Sequence, residues 1–430
     1  MAVLFLSFSS ALPLVLLSGT LQAWYTDSGV SLMVIGSLSL LQYAYLVKFL
    51  WAPLIDRYTP MVLVGRRRAW VLIAQVGLAL TFAIIAFMNP ARQPWEMFCV
   101  AVIAAFISAS QDIAIDGYRV DVLRQGERGL GAAVTTVGGR IAMLVGGGLA
   151  LIMAANYGWR VTYLLMSLLM LAQIIVTLSA TNLEKAVSLP LLLQNSVIVP
   201  FRELLDRKYI MVILLLILTY KFDDALALSL NTAFLMRGIG FTLLELGYTY
   251  KLVSVIAALF GAFGGGFLTP RLGLYRSLMI FGFLQTVTNL SFMVLAIVGK
   301  SFPLMIGAIF FDYFCGGLST VAFVAFLIAL CRQEYSATQY AILSGFTAVT
   351  RVFIGPVAAY LVKHIGWAPF YLVTFFAGLP ALFLLRYLRE RVDFDESTVH
   401  GSFESPIRRL DKAIAIYSAD SQSNARMKNL

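Results

Sequence analysis

Apolar runs of about 18 residues or more recur along the whole chain, and each could cross the roughly 30 Å hydrocarbon core of a bilayer as a helix. Twelve such runs are present, at residues 3–24, 33–55, 69–88, 95–117, 129–154, 161–181, 209–234, 242–267, 276–298, 302–330, 338–362 and 369–388. The chain has 430 residues, 60% of them hydrophobic, and its mean hydropathy is +0.85. Soluble domains are less apolar. The sequence therefore predicts an all-α polytopic membrane protein whose first run is an uncleaved span, because no basic segment precedes it.

The basic residues predict the orientation of the spans. A net charge of +10 could indicate a nucleic-acid partner, but 22 of the 32 Lys and Arg lie in the tail and in the loops on one side. The opposite loops hold Arg92, Arg160, Arg237, Lys300 and Lys363. By the positive-inside rule, both termini are expected in the cytoplasm. The distribution of the basic residues thus reflects the orientation of the spans in the lipid bilayer, and no nucleic-acid partner is predicted.

Several kinds of chemistry lack the residues they need. The three cysteines are scattered in or beside spans, and the two histidines lie in a loop and in the tail, so neither a metal site nor a Ser-His-Asp triad is predicted. The sequence GKS at 299–301 has Val294 where a phosphate loop has its first glycine. We predict no catalytic residue, no cofactor and no obligate protein partner. The chain is therefore not expected to be an enzyme, and any transport must draw on a gradient.

Internal similarity indicates two related halves. Three pairs recur at offsets of about 210 residues, namely GWRVTYLL at 158–165 with GWAPFYLV at 366–373, Arg140 with Arg351, and Arg57 with Arg271. Duplicated halves are common in transporters. The predicted organisation is a six-helix half at 1–181, a cytoplasmic linker at 182–208, a second six-helix half at 209–389 and a polar cytoplasmic tail at 390–430.

The loop after the second span resembles the signature G-x-x-x-D-R-x-G-R-R of the major facilitator superfamily. Asp56 and Arg57 match, Ala52 replaces the first glycine, and Gly65-Arg66-Arg67 follow an insertion. The resemblance implies the major facilitator fold, with 12 transmembrane helices in two halves. We expect a cytoplasmic gate of ion pairs formed by Asp56, Arg57, Arg66, Arg67, Arg119, Asp121 and Arg271. The alternative is that these basic residues only anchor the topology.

Two carboxylates lie a helical turn apart in the fourth span. Asp112 and Asp116, in SASQDIAIDGYRVDVL, share one helix face, and two such groups in a poorly solvated wall do not readily both ionise. One of them is expected to carry a proton. The alternative is that Arg119 simply pairs with Asp116. The candidates for proton coupling are Asp112, Asp116, Asp224 and Asp312.

Five basic residues lie within apolar spans: Lys48, Arg140, Lys221, Lys251 and Arg351. A charged side chain in the hydrocarbon core of a bilayer is unfavourable in free energy, so each of these residues is a functional candidate by default. Lys221 and Asp224 are three residues apart and are expected to pair. Lys48, Lys251 and Asp312 have no evident partner in the sequence, and Lys48 could instead extend towards the interface.

Several stretches resemble the AmpG-type muropeptide permeases of Gram-negative inner membranes. They are LPLVLLSGTLQAW at 12–24, KFLWAPLIDRYTP at 48–60, GRRRAW at 65–70, SASQDIAIDGYRVDVL at 108–123, ERGLGAA at 127–133, FLMRGIGF at 234–241 and SATQYAILSGFTAVTRVFIGPVA at 336–358. The resemblance implies proton-driven import of N-acetylglucosaminyl-1,6-anhydro-N-acetylmuramyl peptides for cell-wall recycling, which feeds beta-lactamase induction where that circuit exists. The chain starts almost directly in its first span and ends without the two extra C-terminal spans of longer members; we expect neither difference to affect the core.

The implied cargo carries stem carboxylates and an amine. Arg140, Arg351 and Lys251 are expected to bind carboxylates, and Asp224 or Asp312 the amine. The further substrate-binding candidates are Lys221, Gln111, Tyr43 and Tyr118. The alternatives are a pyochelin- or rhizobactin-type siderophore permease, an acetyl-CoA carrier of the same superfamily, and a non-transporting membrane sensor.

Overall fold

The computed structural model describes residues 2–61, 64–122, 128–181, 199–331, 336–389 and 391, and these are almost entirely helical. We number the spans α1 (Ala2–Asp27), α2 (Leu32–Val47, continued by Lys48–Leu50 and Ala52–Arg57), α3 (Arg66–Ala86), α4 (Pro94–Val122), α5 (128–157), α6 (159–179), α7 (210–239), α8 (Leu243–Leu272), α9 (Leu274–Val298), α10 (Phe302–Ala329), α11 (Ser336–Ile365) and α12 (Trp367–Arg389). A short helix, Val199–Leu205, precedes α7.

Nine helices of the described residues are long and apolar enough to cross a membrane. One of them, Val134–Ser179, holds two spans, because Gly158 takes a φ of 82° that turns the chain between α5 and α6. Leu32–Val47 is a shorter apolar helix. The helical geometry of α7 is interrupted at Lys221 and Leu230. The twelve predicted spans are therefore confirmed, although α2 and α7 are broken where continuous runs were predicted.

The two halves repeat one packing scheme. In the first half α1 packs on α5, α2 on α4 and α3 on α6; in the second half α7 packs on α11, α8 on α10 and α9 on α12. This repetition confirms the predicted pair of six-helix halves. The exact boundaries of the halves stay predictions, since most of the predicted linker and nearly all of the predicted tail lie outside the described residues.

Close backbone contacts join the two halves near one end of the bundle. Gly36 of α2 and Gly355 of α11 touch, and a methyl group on Gly355 would overlap the carbonyl oxygen of Gly36. Ser39 donates a hydrogen bond of 2.7 Å to the carbonyl of Val352. Such contacts need small residues, because any side chain would hold the two backbones apart.

An arginine reinforces the same end. The guanidinium of Arg237, in the last turn of α7, donates to the carbonyl oxygens of Tyr25 at 3.1 Å, Thr26 at 2.6 Å and Val30 at 2.5 Å. These carbonyls lie at the end of α1 and in the turn after it, where those of Tyr25 and Thr26 also accept backbone hydrogen bonds from Val30 and Gly29. The halves are therefore closed against each other at the end where α1 and α7 finish.

Alanine at Gly355 is expected to hinder this closure. The added methyl group would overlap the carbonyl oxygen of Gly36 and lie 2.6 Å from the hydroxyl of Ser39, and the backbone carbonyl can move only if the two helices separate. Gly345→Ala on the same helix is the matched control, because its methyl group would meet no atom within 4 Å. We expect cargo transport at least about tenfold slower in Gly355→Ala, with normal membrane insertion. Equal rates in the two variants would show that this contact is not needed for the transport cycle.

Candidate functional site

A cavity of about 560 Å³ lies between the two halves. It is lined by α1, α2 and α5 of the first half and by α7, α8, α10 and α11 of the second. Its volume is in the usual range for small-molecule sites. The charged residues of its wall are Arg140, Asp224, Lys251, Asp312 and Arg351.

Two arginines enter the cavity from equivalent helices of the two halves. Arg140 comes from α5 and Arg351 from α11, and both line the wall together with Lys251 of α8. In the described part of the chain, no carboxylate lies within ion-pair distance of any of the three cations; Arg140 approaches only the sulfur of Met143, at 3.9 Å. Cations at this depth are costly without a partner. The cavity can therefore offer positive charge to an anionic ligand.

The second half contributes the acidic part of the cavity. Asp312 is 1% exposed and accepts hydrogen bonds from the Gln285 amide and the Thr288 hydroxyl, each at 3.0 Å. The same Gln285 amide reaches Asp224 at 3.3 Å. The amide of Gln285 thus connects the carboxylates of Asp224 and Asp312. Among the described residues, Asp312 has hydrogen bonds to neutral groups and no ion pair.

Lys221 contacts the acidic side of the cavity from outside the lining. Its ammonium donates to Ser319 at 2.8 Å and is 3.9 Å from Asp224, so the predicted pair is present but loose. Lys221 is not among the residues that line the cavity. Its position suits a role in holding Asp224 more than direct contact with cargo.

Asp223 and its partners form a further buried cluster that was not predicted from the sequence. Asp223 is 2% exposed and accepts hydrogen bonds from Thr286 at 2.9 Å and Asn289 at 3.5 Å. A signal was available, because QTVTN at 285–289 is a polar cluster inside the apolar span α9. Polar side chains at this depth indicate buried partners on another helix.

The two acids of α4 meet basic partners outside the cavity lining. Asp112 accepts a hydrogen bond from Ser10 at 2.5 Å and forms an ion pair with Lys48. Lys48 is also 3.6 Å from Asp116, which pairs with Arg119 at 2.8 Å, the contact that the alternative interpretation of Asp116 expects. Lys48, which has no evident partner in the sequence, therefore has two acidic partners on α4. Its partners come from a distant helix, which sequence spacing does not reveal.

The remaining substrate-binding candidates lie away from the cavity lining. Gln111 is buried and donates to the hydroxyl of Ser9 at 2.8 Å. Tyr43 packs its ring edge-on against Phe353, and Tyr118 is buried in a small apolar cluster near the start of α1. These three stay predictions, and their positions give them no direct contact with the cavity.

The predicted gate residues are only partly described. Arg66 begins α3, and Arg67 lies against Gly117 of α4. Arg271 stacks on the ring of Phe267, with 3.6 Å between guanidinium carbon and ring centroid. Outside the described set are the side chains of Asp56, Arg57 and Asp121. The gate therefore stays a prediction.

Comparison with known proteins identifies the family. Residues 3–300 match the family described as Major Facilitator Superfamily. A relative in Escherichia coli strain K12, named anhydromuropeptide permease, is 46% identical over 392 residues, which is 91% of this chain and 80% of that protein. The chain belongs to the AmpG-type permeases of the major facilitator superfamily.

Further comparisons agree with membership of the AmpG-type permeases. A Rickettsia conorii protein named putative transporter AmpG 4 is 30% identical over 90% of this chain and 96% of its own length. The solved structure of a mutant of the nucleoside transporter NupG superposes with a TM-score of 0.69 at 14% identity, covering 90% of this chain and 98% of that one, and shows the fold alone. As an AmpG-type permease, the chain is a multi-pass membrane transporter and not an enzyme, in agreement with the prediction.

Proposed function

We propose that this permease imports anhydromuropeptides across the inner membrane of a Gram-negative bacterium, driven by the proton gradient, for cell-wall recycling. The observation that carries the proposal is the cavity between the halves, where three cations face the interior without a carboxylate partner among the described residues. The E. coli relative supports the choice of cargo by its name and its 46% identity. In a host that has the circuit, the same import would feed beta-lactamase induction.

The charges of the cavity suit a cargo that carries several carboxylates and one amine. Arg140 and Arg351 would grip carboxylates from the two halves, since a guanidinium matches the two oxygens of a carboxylate. Asp224 would receive the amine. A neutral sugar would leave these charges unpaired, so the cavity favours a zwitterionic cargo with a net negative charge.

Transport would proceed by alternating access. The seam at Gly36 and Gly355 and the bonds of Arg237 close one end of the bundle. With both termini in the cytoplasm, as the positive-inside rule predicts, that closed end faces the periplasm. The structure would then correspond to a state closed to the outside, and rocking of the two similar halves would open it.

Proton coupling offsets the electrical cost of bringing an anion into the cell. Each negative charge that enters against the membrane potential requires about 2.3 kcal/mol per 100 mV. A proton that enters with the cargo cancels one such charge. The buried acid Asp312, which lines the cavity, is well placed for this exchange.

The proposal is tested by uptake of labelled muropeptide into energised membrane vesicles that contain the protein. We expect accumulation that stops when a protonophore collapses the gradient at constant ATP. Vesicles from a permease-null strain without the protein are the control. Accumulation that persists with the protonophore would contradict proton coupling. Binding without accumulation would indicate a sensor, and uptake of a siderophore or acetyl-CoA instead of muropeptide would favour the alternative carriers.

A further inference from the structure

The side chain of Lys251 crosses from one half of the molecule into the other. Its backbone belongs to α8 in the second half, but its ammonium lies against Gly19 of α1, where an added methyl group would be 3.2 Å from Nζ. Its methylene groups lie against Gly147 of α5, at 3.3 Å and 3.4 Å from the position of such a methyl group. The residue is only 7% exposed. Lys251 is therefore a buried bridge between the halves.

The space around Lys251 is formed by irregular helix geometry. A π turn interrupts each of the three helices that meet here, at Leu16–Thr20 of α1, Leu144–Leu149 of α5 and Leu246–Tyr250 of α8. Gly19 and Gly147 lie within the first two turns, and Lys251 directly follows the third. Such turns insert an extra residue into a helix and are frequent at functional sites. We call this space, with its two glycines, the lysine seat.

The ammonium in the lysine seat lacks a counter-ion. In the described part of the chain its one interaction is with the face of Tyr250, whose ring centroid is 4.6 Å from Nζ. A buried ammonium without an anion or a hydrogen-bond acceptor destabilises the protein that contains it. Lys251 also lines the central cavity, so a bound ligand can supply the missing anion.

We propose that Lys251 binds a carboxylate of the cargo and thereby couples cargo binding to the contact between the two halves. This inference rests on the proposed function. A carboxylate at the ammonium would stabilise the arrangement in which Lys251 occupies its seat against Gly19 and Gly147. When the halves rock apart, the seat opens and this carboxylate site is lost. The cargo thus binds the two states with different affinity, which is what a ligand needs in order to shift a conformational equilibrium.

The test uses two measurements on the purified full-length protein. The first is the midpoint of thermal unfolding, with and without muropeptide. The second is the pair of dissociation constants for muropeptide and for its fully methyl-esterified form. In wild type we expect the acid form to bind more tightly and to raise the midpoint of unfolding. Lys251→Met should leave the free protein as stable as wild type or more stable, because the unpaired charge is gone. It should also reduce the preference for the acid form about tenfold, as expected for a lost charge-assisted hydrogen bond.

Two glycine variants test the seat while Lys251 is kept. Gly19→Ala crowds the ammonium and should also reduce the preference for the acid form. Gly266→Ala, whose methyl group meets no atom within 4 Å, should behave as wild type. If Lys251→Met folds poorly, Lys251→Gln and Gly19→Ala carry the test.

The inference is overturned if Lys251→Met or Lys251→Gln destabilises the free protein and keeps the wild-type preference for the acid form, since Lys251 is then a structural residue. It is also overturned if Gly19→Ala keeps that preference. Both results require that wild type binds muropeptide. A wild-type protein that binds no muropeptide overturns the proposed function itself, and this inference with it.

Discussion

Alanine at Arg351 is expected to weaken muropeptide binding by about ten- to a hundredfold, the loss typical of a hydrogen bond to a charged group. Arg351 lines the cavity, and the described residues give its guanidinium no carboxylate, so a cargo carboxylate would be its partner. The matching change Arg140→Ala should have a similar effect from the other half. Binding of labelled muropeptide to the purified protein measures both.

Charge and shape can be separated at these arginines. Arg351→Lys keeps the charge but loses the planar fork that holds a carboxylate by two bonds, so an intermediate affinity is expected. Arg160→Ala is the control of the same residue type, because Arg160 stacks on Phe87 and does not line the cavity. Wild-type affinity in both Arg140→Ala and Arg351→Ala would contradict the proposed carboxylate sites.

Asparagine at Asp312 is expected to abolish accumulation of muropeptide against a gradient while exchange of cargo across the membrane continues. The amide keeps the shape of the carboxyl group but cannot carry a proton. Asp312 is buried and is held by the neutral groups of Gln285 and Thr288, so it can gain and lose a proton without leaving a buried cation unpaired. Parallel assays of gradient-driven uptake and of counterflow measure the two activities.

Asp112→Asn distinguishes the two candidate proton carriers. Asp112 forms an ion pair with Lys48, so its replacement leaves that cation with Asp116 alone. If Asp312 carries the proton, Asp112→Asn should slow uptake and exchange together, because it disturbs the junction of α2 and α4. Loss of accumulation with intact exchange in Asp112→Asn, and not in Asp312→Asn, would assign the proton to α4.

Asp116→Asn completes the comparison. Asp116 pairs with Arg119 within α4 and is half-exposed, with 49% of its side chain accessible. We expect this variant to affect chiefly the end of α4, with lower expression or turnover and an unchanged ratio of accumulation to exchange. Membrane abundance, measured beside transport, separates these effects.

The sequence by itself predicted the twelve spans, the two halves and the family. Each span is a local feature, since about 20 apolar residues must form a helix to satisfy the backbone in lipid. The duplication was visible because Arg140 and Arg351 recur at equivalent places. The structure places both at one cavity.

The tertiary structure alone decided which charges meet. Lys48 is paired with Asp112, and Gln285 joins Asp224 to Asp312, although these partners are far apart in the chain. Residue spacing identifies neighbours on one helix, but it does not show which face of a second helix packs opposite. In a membrane both the lipid-facing and the buried faces are apolar, so the hydrophobic pattern that orients a helix in water is weak here. The sequence therefore does not reveal the bridge that Lys251 forms between the halves. Nor does it reveal the contact of Gly36 with Gly355, because both depend on how the helices pack.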